Sequence, residues 1–173
     1  SDVTRTLPVN GRFSPEQKAI YELVLEAQTA VIAKVSPGVR WDHLQETAVN
    51  IITRGLVRLG ILSGKVDQLI QDKAYTPFYM HNIGHWIGLD VHDVGAYKIK
   101  GEWRTLDAGI VLRVDPGIYI SAGQPGVDPK WWNIGVRIED DVLVTPTGHE
   151  VLTAQIPKAI EEIEAIIAGQ TVE

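Results

Sequence analysis

The chain has 173 residues, 45% hydrophobic and 22% charged, which is the balance of a globular domain large enough for a full core. Its formal net charge of -6 argues against nucleic acid as the main partner, since phosphate binding wants a basic face, but it suits a cation site built from carboxylates. The absence of cysteine excludes disulfides, thiolate metal sites and a cysteine nucleophile, and no apolar run approaches the roughly 20 residues that cross a bilayer.

No secretory leader is visible, so the cytoplasm is the expected compartment, with no membrane partner. The only methionine is Met80, so Ser1 is not expected to be a translation start. The chain is expected to be a processed product or the later part of a longer one.

Val3 to Val9 is extended in character and runs into Asn10-Gly11, a strong turn signal. Ser14-Pro15-Glu16-Gln17 then opens a helix. Ser14 suits the N-cap, Pro15 the first helical position, and Gln17 completes a capping box. Ile20, Leu23, Val24, Ala27, Val31 and Ile32 recur at helical spacing until Ser36-Pro37-Gly38. A second helix is predicted from about Asp42 to Leu59, stopped by Gly60. Val66 to Gln71 reads as a short third helix.

After Pro77 the helical period fades. Gly109–Ile120 (GIVLRVDPGIYI) and Ile134–Thr145 (IGVRIEDDVLVT) read as two strands, joined by a turn-rich loop. Pro146-Thr147-Gly148 is a further turn. Pro157 opens a last helix with Ile160, Ile163, Ile166 and Ile167 on its inner face. Helices, then strands, then one helix indicate an α+β fold with an antiparallel sheet rather than a doubly wound parallel one.

Candidate chemistry begins with HNIGHWIGLDVHD, His81 to Asp93. It holds three of the five histidines. His81 and His85 are four apart, but Gly84 and Gly88 argue against a helix, and the glutamate of a zinc-peptidase helix is missing after His81. In one unbroken strand His85 and His92 would face opposite ways. They can line one pocket only if the chain bends near Gly88 to Asp90. The alternative is buried histidines satisfied by the backbone.

Asp115 lies in RVDPG, with Arg113 on its face two residues earlier. Pro116 cannot donate to a sheet ladder, so pairing breaks there and a carboxylate beside the break can face a site. A turn-capping aspartate is the plainer alternative. Arg137, Glu139 and Asp141 alternate onto one face, which elsewhere is merely the charged side of an edge strand. Acids on two strands, with histidines and a further aspartate near the start, make a ligand set for manganese, cobalt, iron or zinc. No phosphate-binding glycine loop and no serine elbow is present.

HNIGHWIGLDVHDVGAY, VLRVDPGIYI and GVRIEDDVLVT, in this order, resemble the catalytic domain of bacterial Xaa-Pro aminopeptidases, of the M24 pita-bread metallopeptidases. SDVTRTLPVNGRFSPEQKAIYELV resembles the same domain's entry. The likeness spans essentially the whole chain and implies the later portion of that catalytic domain, residues 1–173, with the upstream part absent. The related prolidases (Xaa-Pro dipeptidases) share most of these motifs. The short loop between Ile120 and Ile134 favours the aminopeptidase, because animal-type prolidases usually carry a longer insertion there.

The resemblance implies a curved antiparallel sheet covered by helices. It also implies two divalent ions, usually manganese, and hydrolysis of the Xaa-Pro bond by an activated water. The substrates would be peptides with proline at the second position, and the complete protein would be a homo-oligomer. Asp2 and Glu139 would bridge the ions, and His85 and Asp115 would complete one ion's shell. His81 and His92 would face substrate, Asp115 would also shuttle a proton, and Tyr119 and Arg137 would support the site.

Three departures stand out. The family has a metal aspartate upstream of the position of Asp2. It has glutamate where this chain has Asp115, whose side chain reaches roughly 1.5 Å less far. It usually has glycine where this chain has Asn82. These departures motivate a second reading, in which the chain is a pseudo-enzyme kept for binding peptides or partners.

Overall fold

The computed structural model describes residues 2–169. Helix α1 (Pro15–Lys34) starts with the predicted capping box: the Gln17 amide donates to the Ser14 hydroxyl, and the Ser14 amide donates to the Gln17 side chain. Helix α2 (Trp41–Arg58) packs against α1. A Cβ on Gly55 would stand 2.1 Å from Leu23 Cδ1, so the missing side chain is what lets the helices close to this distance. Helix α3 (Val66–Gln71) is short and carries no buried residue.

The second half is antiparallel sheet. A small hairpin, β1 (Lys98–Ile99) with β2 (Glu102–Trp103), lies in a stretch without a clear strand signal in the sequence. The main strands are β3 (Val111–Val114), β4 (Gly117–Ile120), β5 (Ile134–Arg137), β6 (Asp140–Thr145) and β7 (Gly148–Val151). They form one sheet ordered β3-β6-β7 and a second made of β4 and β5. Helix α1 packs against β3, β4 and β5, so helices cover the sheets and the core lies between the layers. This is the α+β arrangement expected.

Each predicted long strand is two strands. The first breaks at Asp115-Pro116 and the second at Ile138-Glu139. Pro116 has no N–H to give the ladder, which ends the first pairing. Across the sheet Val114 pairs with Asp140, and Gly117 pairs with Arg137. The two breaks therefore lie opposite each other. That register, set by residues on both sides, brings Asp115 and Glu139 together.

The last helix, α4 (Ile160–Ile167), corrects the sequence reading in part. Ile160 and Ile163 are buried, but Ile166 and Ile167 are 48% and 40% exposed. Strand β7 was also not foreseen beyond the turn that precedes it.

One buried ion cluster ties the N-terminal segment to the sheet. Asp140 is fully buried. It accepts from Arg5 at 2.7 Å, Lys158 at 2.7 Å, Gln28 at 2.9 Å and Thr153 at 2.7 Å. Arg5 also donates to the carbonyl of Glu139 at 2.7 Å. The cations hold the Asp140 carboxyl below its ordinary range although burial pushes it up. The cluster fixes the backbone next to Glu139, and so the neighbouring site.

Candidate metal centre

The histidine segment lies along β3. The Arg113 amide donates to the His85 carbonyl at 2.9 Å, the Asp115 amide to Ile83 at 2.9 Å, and the Ile87 amide to Val111 at 3.1 Å. The chain then bends through Gly88 to Asp90 and returns, closed by the Asp93 amide on the Trp86 carbonyl at 3.2 Å. The bend brings the His85 and His92 rings to 4.3 Å between centroids, almost perpendicular. Neither a helix nor an unbroken strand would have done this.

His85 Nδ1 lies 2.8 Å from the Trp86 carbonyl. A carbonyl only accepts, so Nδ1 carries the proton and Nε2 keeps its lone pair. Nε2 is buried, makes no hydrogen bond, and lies 3.3 Å from Asp2 Oδ2. One ligand atom each from Asp2, His85 and His92 fall within 4.8 Å of one another. Two imidazoles and one carboxylate are a donor set for iron, zinc, manganese or cobalt, and the unpartnered Nε2 is the atom such an ion would use. These residues fit one divalent ion.

A second cluster adjoins the first. Asp115 is 1% exposed and Glu139 2%, which removes both the turn-cap and the charged-edge alternatives. Between them lies Arg113. Its Nη1 donates to Asp2 Oδ2 at 2.5 Å and its Nη2 to Asp115 Oδ2 at 2.6 Å. Its Nε is 2.7 Å from Glu139 Oε1, an ion-pair contact not aligned as a hydrogen bond. Thr4 donates a short hydrogen bond to the other oxygen of Glu139. The residues here do not fit a second ion as they fit the first, because a guanidinium already fills the space between the carboxylates.

Burial raises the carboxyls of Asp115 and Glu139 even against these cations. Asp2 is less enclosed. Burial pushes its carboxyl up too, but Arg113 holds it below the ordinary range.

A third group lines the same cleft. His81 Nδ1 is 2.9 Å from the Asn82 carbonyl, so its Nε2 accepts from the Tyr119 hydroxyl at 2.9 Å. Tyr119 in turn accepts from Arg137 Nε at 2.8 Å. Arg137 Nη1 reaches within 3.8 Å of Asp115, which joins this group to the carboxylates. Burial, then the Arg137 and Arg113 charges, lower the pKa of His81 and keep it neutral near pH 7.

All eight residues singled out in the sequence meet here: Asp2, His81, His85, His92, Asp115, Tyr119, Arg137 and Glu139. His92 stands beside His85 and Asp2 rather than apart from them. Arg113 and Thr4 were not foreseen as parts of the site. For Arg113 the signal was present, since it shares the face of Asp115 at strand spacing.

A broken antiparallel sheet under helices, with imidazole and carboxylate donors converging beside the breaks, defines a candidate metal-binding site. The chain belongs to metallopeptidase family M24, whose model matches residues 1–146. It is 51% identical over 166 residues to the Xaa-Pro aminopeptidase of Haemophilus influenzae, covering 96% of this chain and 38% of that protein. It is 41% identical over 197 residues to the Xaa-Pro dipeptidase of Rattus norvegicus, covering 98% of this chain and 40% of that protein. The structure of Pseudomonas aeruginosa aminopeptidase PepP superposes with a TM-score of 0.96 at 58% identity, covering 98% of this chain and 38% of that one. The fold of this chain is therefore part of the pita-bread fold of the aminopeptidases P. The chain spans about two fifths of the length of these relatives.

Proposed function

We propose that the protein hydrolyses the bond between an N-terminal residue and a following proline, using a divalent ion held by Asp2, His85 and His92. The observation that carries this reading is the convergence of those three ligand atoms, with His85 Nε2 buried, oriented and unpartnered. The names of the most similar relatives supply the substrate class: peptides with proline in the second position.

An ion bound there supplies Lewis-acid chemistry, lowering the pKa of a water and polarising a carbonyl. The chain's own residues do the rest. Neutral His81 and the Tyr119 hydroxyl form a hydrogen-bonding wall for the peptide, held in orientation by Arg137. Asp115 pairs with Arg113 through Oδ2, while its Oδ1 makes no hydrogen bond; that oxygen, in a carboxyl whose pKa burial raises, is the one suited to pass a proton to the proline nitrogen. Manganese is the first ion to test, then cobalt, zinc and iron. The cysteine-free composition supports a cytoplasmic location, and we expect a homo-oligomer for the complete protein.

The test is manganese-dependent release of the first residue from a short Xaa-Pro peptide, by this chain and by the longer protein containing it. His85→Ala and His92→Ala are expected to lose turnover by at least about 100-fold. Turnover that survives both, or that persists in chelator, would overturn the reading. Preference for a dipeptide over a tripeptide would shift the assignment to the dipeptidase.

One observation favours a second reading, a peptide-binding pseudo-enzyme. Arg113 already neutralises carboxylates that the family likeness assigns to metal.

A further inference from the structure

We infer that Arg113 is a built-in counter-ion that takes the place of one of the two metal ions, leaving a centre that binds a single divalent ion at Asp2, His85 and His92. The inference rests on the metal-binding part of the proposed function and is independent of the peptide substrate.

The geometry is specific. One guanidinium reaches three carboxylates, Asp2, Asp115 and Glu139, at 2.5, 2.6 and 2.7 Å. Its side chain is only 13% exposed, so it is not a surface arginine folded inward by chance. An arginine stays protonated at any working pH, and none of its nitrogens offers a lone pair to a metal. A divalent ion needs carboxylate oxygens at about 2.0 to 2.6 Å, and it would have to occupy the space that these nitrogens fill between the carboxylates. Cation and guanidinium therefore exclude each other between Asp115 and Glu139.

The neighbours are consistent with a permanent arginine. Asp115 is one methylene shorter than glutamate, which leaves room for the guanidinium plane. The Arg113 backbone is held on both sides, by the His85 carbonyl and by its register opposite Asp141 on β6. Without a cation, Asp115 and Glu139 would be buried charges with no partner of matching geometry, a costly arrangement. Arg113 supplies that charge from within the chain, so this half of the site does not need metal to fold. The other half is different. Asp2 Oδ2 accepts from Arg113, and His85 Nε2, 3.3 Å from that oxygen, has no hydrogen-bond partner. The donor atoms that converge without a guanidinium between them are those of Asp2, His85 and His92, on the histidine side.

The experiment counts manganese by equilibrium dialysis and by the EPR signal of free Mn(II), on the longest folded form of the protein. Thermal unfolding is recorded with and without chelator. Arg113→Met removes the charge at similar length. It is expected to bind one more equivalent than the wild type, and to melt on the order of 10 °C lower in chelator, with much of that loss restored by manganese. Arg113→Lys keeps the charge and is expected to bind the same number as the wild type. If Arg113→Met folds with manganese yet binds no extra equivalent, the inference is wrong. If Arg113→Met does not fold at all, the lysine variant decides: wild-type stoichiometry supports the inference and a gained equivalent overturns it. Peptide turnover is not used, so a failed substrate assignment leaves this result interpretable.

Discussion

Gly84 lies against the carbonyl of Arg113: a Cβ at position 84 would stand 1.7 Å from that oxygen. This contact makes a glycine necessary between the two histidines His81 and His85. It lets the segment lie flat on β3, and so aims His85 at Asp2.

Gly84→Ala is expected to push the histidine segment off β3 and to cost on the order of 3 kcal/mol or more. Manganese affinity should fall with it, because His85 moves. Gly148→Ala is the control, since nothing lies within 4 Å of its added carbon. Urea unfolding of both variants checks this, and equal midpoints would show that the close contact relaxes freely.

Asp140→Asn leaves Arg5 and Lys158 facing an uncharged partner inside the structure. Breaking one side of a buried pair of this kind costs about 3 to 5 kcal/mol. Glu161→Gln, in contrast, removes only an exposed contact to Lys18 at 3.9 Å and should leave the unfolding midpoint where it was. A small effect at Asp140 would mean that water reaches the cluster.

Burial raises the Tyr21 hydroxyl from its ordinary value of 10.0 to about 12. The folded pKa lies above the unfolded one, so its contribution is intact below pH 10 and is lost as pH rises through 12. The decline over that window amounts to about 2 to 3 kcal/mol. Tyr21→Phe gives up a hydrogen bond to the Lys158 carbonyl, about 1 kcal/mol at neutral pH, but should show a shallower alkaline decline. Parallel alkaline limbs for the two proteins would assign the loss to other groups.

Tyr119→Phe removes the hydroxyl that joins His81 to Arg137. Peptide turnover is expected to fall roughly 10- to 100-fold through looser positioning. Manganese affinity should not change, because Tyr119 touches none of Asp2, His85 or His92. An equal loss in both measurements would show that the hydrogen-bonding wall and the ion site are not separable.

The sequence by itself determined the helices α1 and α2 and the candidate reacting groups. The Ser14 to Gln17 cap, the apolar stripes of α1 and α2 and the break at Pro116 all follow from interactions within a few residues. The candidate site residues were legible because His81, His85, His92, Asp115 and Glu139 lie in short motifs that resemble those of one family.

Tertiary structure alone decided how those groups divide. Asp2 and Arg113 are 111 positions apart, and Thr4 and Glu139 are 135 apart. Such pairs depend on strand register, which has no local sequence signature. A two-residue spacing places Arg113 on the face of Asp115, but that spacing is equally compatible with an arginine turned to solvent. Only the opposed breaks in the two sheets, which bury Asp115 and Glu139 and leave Asp2 at their rim, make the guanidinium the cation that neutralises them.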